Sequence, residues 1–175
     1  MIEIKLSKLE KRLGKRFNSS ISCVGLDTAS RSGWCKISSD REKDIMYLDY
    51  GYIKVDTKDL YFKLDELIKI FQQLITTWKC KIVIEDVFFG RNVNTLKVLT
   101  RIGTICYTLA RLGSYQTEFI MAVSARAKLG LKTNVKKEVV HKQFTELLKV
   151  DIKDIDIIDA IILALVGLLE PEGLI

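Results

Sequence analysis

Proline occurs only once in this chain and so does histidine. The lone His141 sits in a lysine-rich helical stretch, which gives serine or cysteine nucleophiles no evident base and reads as helix surface. Cys23, Cys35, Cys80 and Cys106 form no C-x-x-C pair and lie among apolar residues. Structural zinc would need ligands from four distant places, so buried free thiols in a reducing compartment are expected. No uncharged apolar run reaches the ~18 residues of a membrane-spanning helix, and no leader pattern opens the chain. A cytoplasmic protein without membrane association is expected. Acidic residues are outnumbered, 22 against 28 lysines and arginines, for a net charge of +6. The excess is concentrated in residues 5–16 and 126–142, which suits a polyanionic partner such as nucleic acid.

What is present is enough for one domain: 175 residues, 48% hydrophobic. Ile2, Leu6, Leu9 and Leu13 recur at helical spacing among lysines, predicting a basic amphipathic helix over 2–16 and a linker over 17–20. Residues 1–20 thus form a basic amino-terminal extension, and 21–175 the folded domain. ISCVGLD (21–27), WCKIS (34–38) and IMYLDYGYIKV (45–55) read as a three-stranded meander. Apolar residues from Leu60 to Trp78 line a helix with Thr57 as its N-cap. KIVIEDV (81–87) has the near-continuous apolar run of a central strand. A helix over 92–112 starts near Asn92 or Asn94, and TEFIMAV (117–123) is the last strand. Helices over 134–149, capped by Asn134, and over 155–169, stopped near Pro171, complete an α/β pattern with one five-stranded sheet flanked by helices.

Four carboxylates stand out in that frame. Asp156 and Asp159 are three residues apart in the apolar run DIDIIDAIILAL, where a helix stacks them on one face. Glu85 interrupts an apolar strand, where an unpaired carboxylate is costly, and Asp27 ends the first strand of the folded domain. Asp86 alternates to the other side of its strand. Two strand ends and a crossing helix can bring Asp27, Glu85, Asp156 and Asp159 together. Their oxygen ligands select hard Mg²⁺ or Mn²⁺, and a two-metal arrangement would place the ions about 3.5–4 Å apart with Asp27 bridging. Asp151 and Asp154 leave the choice of the helical pair open by spacing alone.

The segments VGLDTASRSGW, IEDVFFGRNVNT, LTRIGTICYTL, VSARAKLGL, VKKEVVHKQF and IDIIDAIILAL, in that order over 21–169, resemble the Holliday-junction resolvase family named after bacterial RuvC. The resemblance implies a ribonuclease-H-like fold and a homodimeric, Mg²⁺-dependent endonuclease for four-way DNA junctions, with Mn²⁺ able to substitute. It assigns both metal binding and catalysis to Asp27, Glu85, Asp156 and Asp159. It places Lys137, with Lys136 the alternative, near the scissile phosphate. Phe88 falls where family members stack an aromatic on unpaired bases, with Phe89 beside it, and Arg91 and Asn92 of the same segment are expected at the DNA. Arg126, Lys128, Lys132 and Lys136 are expected on the DNA-facing surface, and the helix over 92–112, with Gly103, at the dimer interface. A high lysine and isoleucine content suits a phage or viral member acting in host cytoplasm. The competing functions are a related nuclease for flaps, forks or RNA–DNA hybrid, and a branched-DNA-binding protein without activity.

Overall fold

A computed structural model describes residues 1–29, 31–87, 92–133 and 135–170. The elements in chain order are β1 (Ile2–Lys5), α1 (Leu6–Leu13), β2 (Cys23–Asp27), β3 (Arg31–Asp40), β4 (Ile45–Lys54), α2 (Leu60–Trp78) and β5 (Lys81–Glu85). They continue with α3 (Val93–Leu112), β6 (Thr117–Ile120), α4 (Ala122–Lys128), α5 (Lys137–Leu148) and α6 (Ile155–Gly167). The strands form one mixed sheet in the order β1-β4-β3-β2-β5-β6. Strands β1 to β4 pair antiparallel, whereas β2–β5 and β5–β6 are parallel.

The sheet therefore has six strands, not the expected five. The sixth is β1, which pairs with β4 from Ile2↔Leu48 to Lys5↔Ile45. Its residues alternate between half-buried isoleucines and exposed Glu3 and Lys5, the two-residue period of an edge strand. Helix begins only at Leu6, so Ile2 does not belong to the amphipathic stripe of Leu6 and Leu9. The expected linker is also packed: Phe17 is buried and bridges to Leu169.

Alternation along the central strands divides the interior into two cores. Val24, Leu26, Ile82 and Ile84 face α2 and α3, packing with Phe71, Trp78, Ile102 and Cys106. Cys23 and Val83 face the other way, against α6, which is buried without interruption from Ile157 to Gly167. The result is a three-layer arrangement with the sheet in the middle.

Two other expectations shift at element ends. The N-cap of α2 is Asp59, whose carboxylate accepts from the Phe62 amide at 3.0 Å, not Thr57. The strand expected over 117–123 stops at Ile120, and a short helix, α4, follows from Ala122. Asn92 does cap α3, its Oδ1 accepting from the Asn94 and Thr95 amides. The expected Asn134 cap and the Pro171 stop lie outside the described residues.

Candidate active site

Strand register decides where the carboxylates point. Asp27 is two residues beyond Gly25 on β2 and pairs with Gly33 of β3, so all three share the α6 face of the sheet. Glu85, two residues beyond Val83 at the end of β5, shares that face too. Asp27 and Glu85 thus emerge side by side at the carboxyl ends of adjacent parallel strands, a usual location for ligand sites in α/β sheets. Asp86, on the opposite alternation, is exposed.

Glycines bring the helix to them. A Cβ on Gly25 would stand 1.9 Å from the Ala160 carbonyl oxygen, and one on Gly33 would stand 2.4 Å from that of Asp156. Only bare backbone permits this approach, and it lays the first turns of α6 directly over the end of β2. Asp154 caps α6 through Oδ1, which accepts from the Asp156 amide at 3.1 Å and the Ile157 amide at 3.4 Å.

Asp27, Glu85, Asp156 and Lys137 line one cavity of about 250 Å³, with Thr28, Ala29, Val87 and Leu99. Burial, then the hydrogen bond and charge of Glu85, raise the Asp27 carboxyl well above the usual carboxylate range. Two carboxyl groups in such contact require a proton or a cation between them. Asp159 is different. Burial opposes its ionisation, but hydrogen bonds from His141 and Lys137 and their charges outweigh burial and hold its pKa at about 2. Arg126 Nη2 and His141 Nε2 each lie 3.0 Å from its Oδ1, and Lys137 Nζ pairs with its other oxygen. Asp156 pairs with Arg31 Nη2 at 3.4 Å.

Three of the four expected acids therefore share one cavity, while Asp159 does not line it and pairs with Lys137. Among the described residues, no three acidic, histidine or cysteine side chains are already drawn together as a metal cage. Lys137, rather than exposed Lys136, reaches the acids. Lys128 and Lys132 are exposed as expected. Arg126, expected on an exposed basic surface, is instead buried against Asp159. His141 is likewise buried, not helix surface. A last strand read through to residue 123 conceals α4, whose buried Ala125 and Arg126, with Leu129 just past its end, follow helical spacing. Asn92 is exposed as the cap of α3, whereas Phe88, Phe89 and Arg91 lie outside the described residues. Gly103 accommodates the Phe119 ring of the same chain, 3.3 Å from where a Cβ would be. Nothing in sequence marked Arg31, the first residue of β3.

Comparison with known proteins gives this geometry a family. The model for crossover junction endodeoxyribonuclease RuvC matches residues 23–167. The RuvC of Campylobacter jejuni is 28% identical over 151 residues, covering 83% of this chain and 93% of that protein. The RuvC of Synechococcus sp. WH7803 is 30% identical over 148 residues, covering 82% and 96%. In three dimensions, Thermus thermophilus RuvC in complex with Holliday junction substrate superposes with a TM-score of 0.68 over 83% of this chain and 92% of that one, at 12% identity. At that identity the superposition speaks for the ribonuclease-H-like fold, and the family match for descent. The chain belongs to the RuvC family of crossover junction endodeoxyribonucleases.

Proposed function

We propose that this chain is a divalent-metal-dependent endonuclease that cuts four-way DNA junctions. The observation that carries this reading is the Asp27–Glu85 contact in a cavity that also presents Asp156 and Lys137. The donors are all oxygen, and the facing carboxyls call for positive charge between them, so the residues fit Mg²⁺ or Mn²⁺. Such ions supply Lewis acidity for water attack on phosphorus and neutralise charge on the leaving oxygen. Asp27, Glu85 and the α6 acids would hold a two-ion site, with Asp27 the residue that would be shared.

Lys137 is held by Asp159 at the cavity wall, where its ammonium can offset charge on the scissile phosphate. Exposed Lys128, Lys132 and Lys136 supply sequence-independent attraction for the DNA backbone. The assigned DNA roles of Phe88, Phe89, Arg91 and Asn92 rest on the family resemblance. The setting is the cytoplasm, that of the host for a phage-encoded chain. No described helix is long and apolar enough to cross a membrane.

Single-turnover cleavage of an immobile four-way junction, a duplex, a flap and an RNA–DNA hybrid tests the reading. The junction should be cut fastest in Mg²⁺ and not at all in chelator. Lys137→Ala should slow that cut about 100-fold, the scale of one lost charge-stabilising group. A duplex cut as fast as the junction would replace resolvase with general nuclease.

Paired incision of a symmetric junction calls for two centres related by a twofold axis, so the proposed active form is a homodimer. Helix α3 remains the proposed interface, through the face not packed on its own sheet; Ile102, Cys106 and Ala110 already fill the intrachain core. Sedimentation at micromolar concentration should give twice the 20.0 kDa chain mass. A monomer that makes both cuts would exclude the assembly.

A further inference from the structure

We propose that Arg31 is a displaceable counter-ion for Asp156, holding that carboxylate until a divalent cation takes it, with Asp154 as the seat that keeps the guanidinium nearby. The inference rests on the divalent-cation site proposed above and concerns its control by a residue outside the ligand set.

The geometry distinguishes Arg31's two partners. Arg31 Nη2 makes its closer contact with Asp154 Oδ2 and its longer one, at 3.4 Å, with Asp156 Oδ2. Asp154 is itself fixed, because its other oxygen caps α6. The guanidinium has a further support in the Tyr52 ring, 5.0 Å from its centroid. Letting go of Asp156 therefore leaves Arg31 with a carboxylate and an aromatic face. Its side chain is 39% exposed, so a small movement meets little packing resistance.

Asp156 also stands between two cavities. One contains Asp27, Glu85 and Lys137; the other, of about 600 Å³, contains Arg31, Lys153 and Asp154. Turning its carboxylate changes which charges it meets. Asp159 has no such freedom, being buried among Arg126, Lys137 and His141. Of the two helical acids, Asp156 is the one able to change partner, and Arg31 is what it must leave. A positioning role for Arg31 alone would act in the opposite sense: losing it would loosen α6 and weaken cation binding.

Calorimetric titration of the full chain with MnCl₂, without DNA and at near-physiological salt, separates these outcomes. Arg31→Gln should bind Mn²⁺ about three- to tenfold more tightly, as expected for removing a part-exposed competing pair and its repulsion. Asp154→Asn keeps a helix-capping side chain but removes the seat's charge. Arg31 then falls more fully on Asp156, and Mn²⁺ binding should weaken several-fold. In the Arg31→Gln background that loss should shrink by more than half, a coupling read by the double-substitution cycle. Weaker or unchanged binding by folded Arg31→Gln would overturn the proposal. If that variant does not fold, Arg31→Lys serves: with one point charge in place of a fork it should bind Mn²⁺ more tightly than the unsubstituted chain, and equal or weaker binding would overturn the proposal. No Mn²⁺ uptake by the unsubstituted chain would instead sink the metal site, and this inference with it.

Discussion

Replacing Asp27 with asparagine should lower single-turnover junction cleavage on the order of a thousandfold while leaving junction affinity within about threefold. In the proposed division of labour the carboxylate serves the chemical step, whereas exposed lysines carry most of the attraction for DNA. Gel-shift titration beside cleavage checks this division, and a collapse of binding in chelator would refute it. The same substitution should alter stability in a pH-dependent way. Burial and the contact with Glu85 raise the folded-state pKa of Asp27, whereas the unfolded chain titrates near the ordinary value of about 3.9. Between those values the folded protein binds the extra proton. The stability contribution is fully present below about pH 3.9 and is lost as pH rises toward the raised folded value. In chelator, therefore, the unsubstituted chain should lose stability relative to Asp27→Asn between about pH 5 and 8. The difference should reach about 1–3 kcal/mol, or several degrees in Tm. Mn²⁺ should reverse the trend by replacing the shared proton. Thermal melts with and without Mn²⁺ measure both effects, and a flat difference in chelator would remove the shared proton from the account.

Gly25→Ala should be the most destabilising single methyl that can be added to this chain's central strands, costing about 3 kcal/mol or more. Its Cβ would lie 1.9 Å from the Ala160 oxygen and 2.5 Å from the Ala164 nitrogen, both backbone atoms of α6. A rotamer change cannot relieve such a clash. The helix must lift from the sheet, and with it Asp156 and Asp159 move away from Asp27 and Glu85. Mn²⁺ affinity should consequently fall along with stability. Gly103→Ala provides the contrast, since its nearest neighbour is the Phe119 ring at 3.3 Å, a side chain able to yield. That change should cost less than about 1 kcal/mol, with gained helix propensity offsetting the contact. Urea unfolding of both variants is the measurement. Equal losses would mean that the Gly25 approach does not control the docking of α6.

Much of this architecture was legible in local pattern. Helical spacing marked α2 and α3, short strand-like runs marked the meander, and a near-continuous apolar run marked β5, because the pattern of apolar residues reports directly which faces of an element are buried. Glu85 stood out because an apolar strand has no cheap way to bury a lone carboxylate, and Asp156 and Asp159 because i,i+3 spacing stacks them. The sixth strand was obscured because Ile2–Lys5 is only four residues long and Ile2 also suited the helical stripe that follows. Helix α4 was hidden by an apolar lead-in and lacks a side-chain cap to announce it.

Charge partnerships were decided only by tertiary structure. Arg126 reaches Asp159 across 33 residues of sequence, His141 reaches it across 18, and Arg31 reaches Asp154 across 123. The sequence alone determined which acids would be expensive to bury and that something positive must meet them. Which lysine, arginine or histidine does so follows from how closely α6 settles on Gly25 and Gly33 and where α4 and α5 then abut it. A residue's cost of burial is a local property; its partner depends on elements that meet only after the chain has folded.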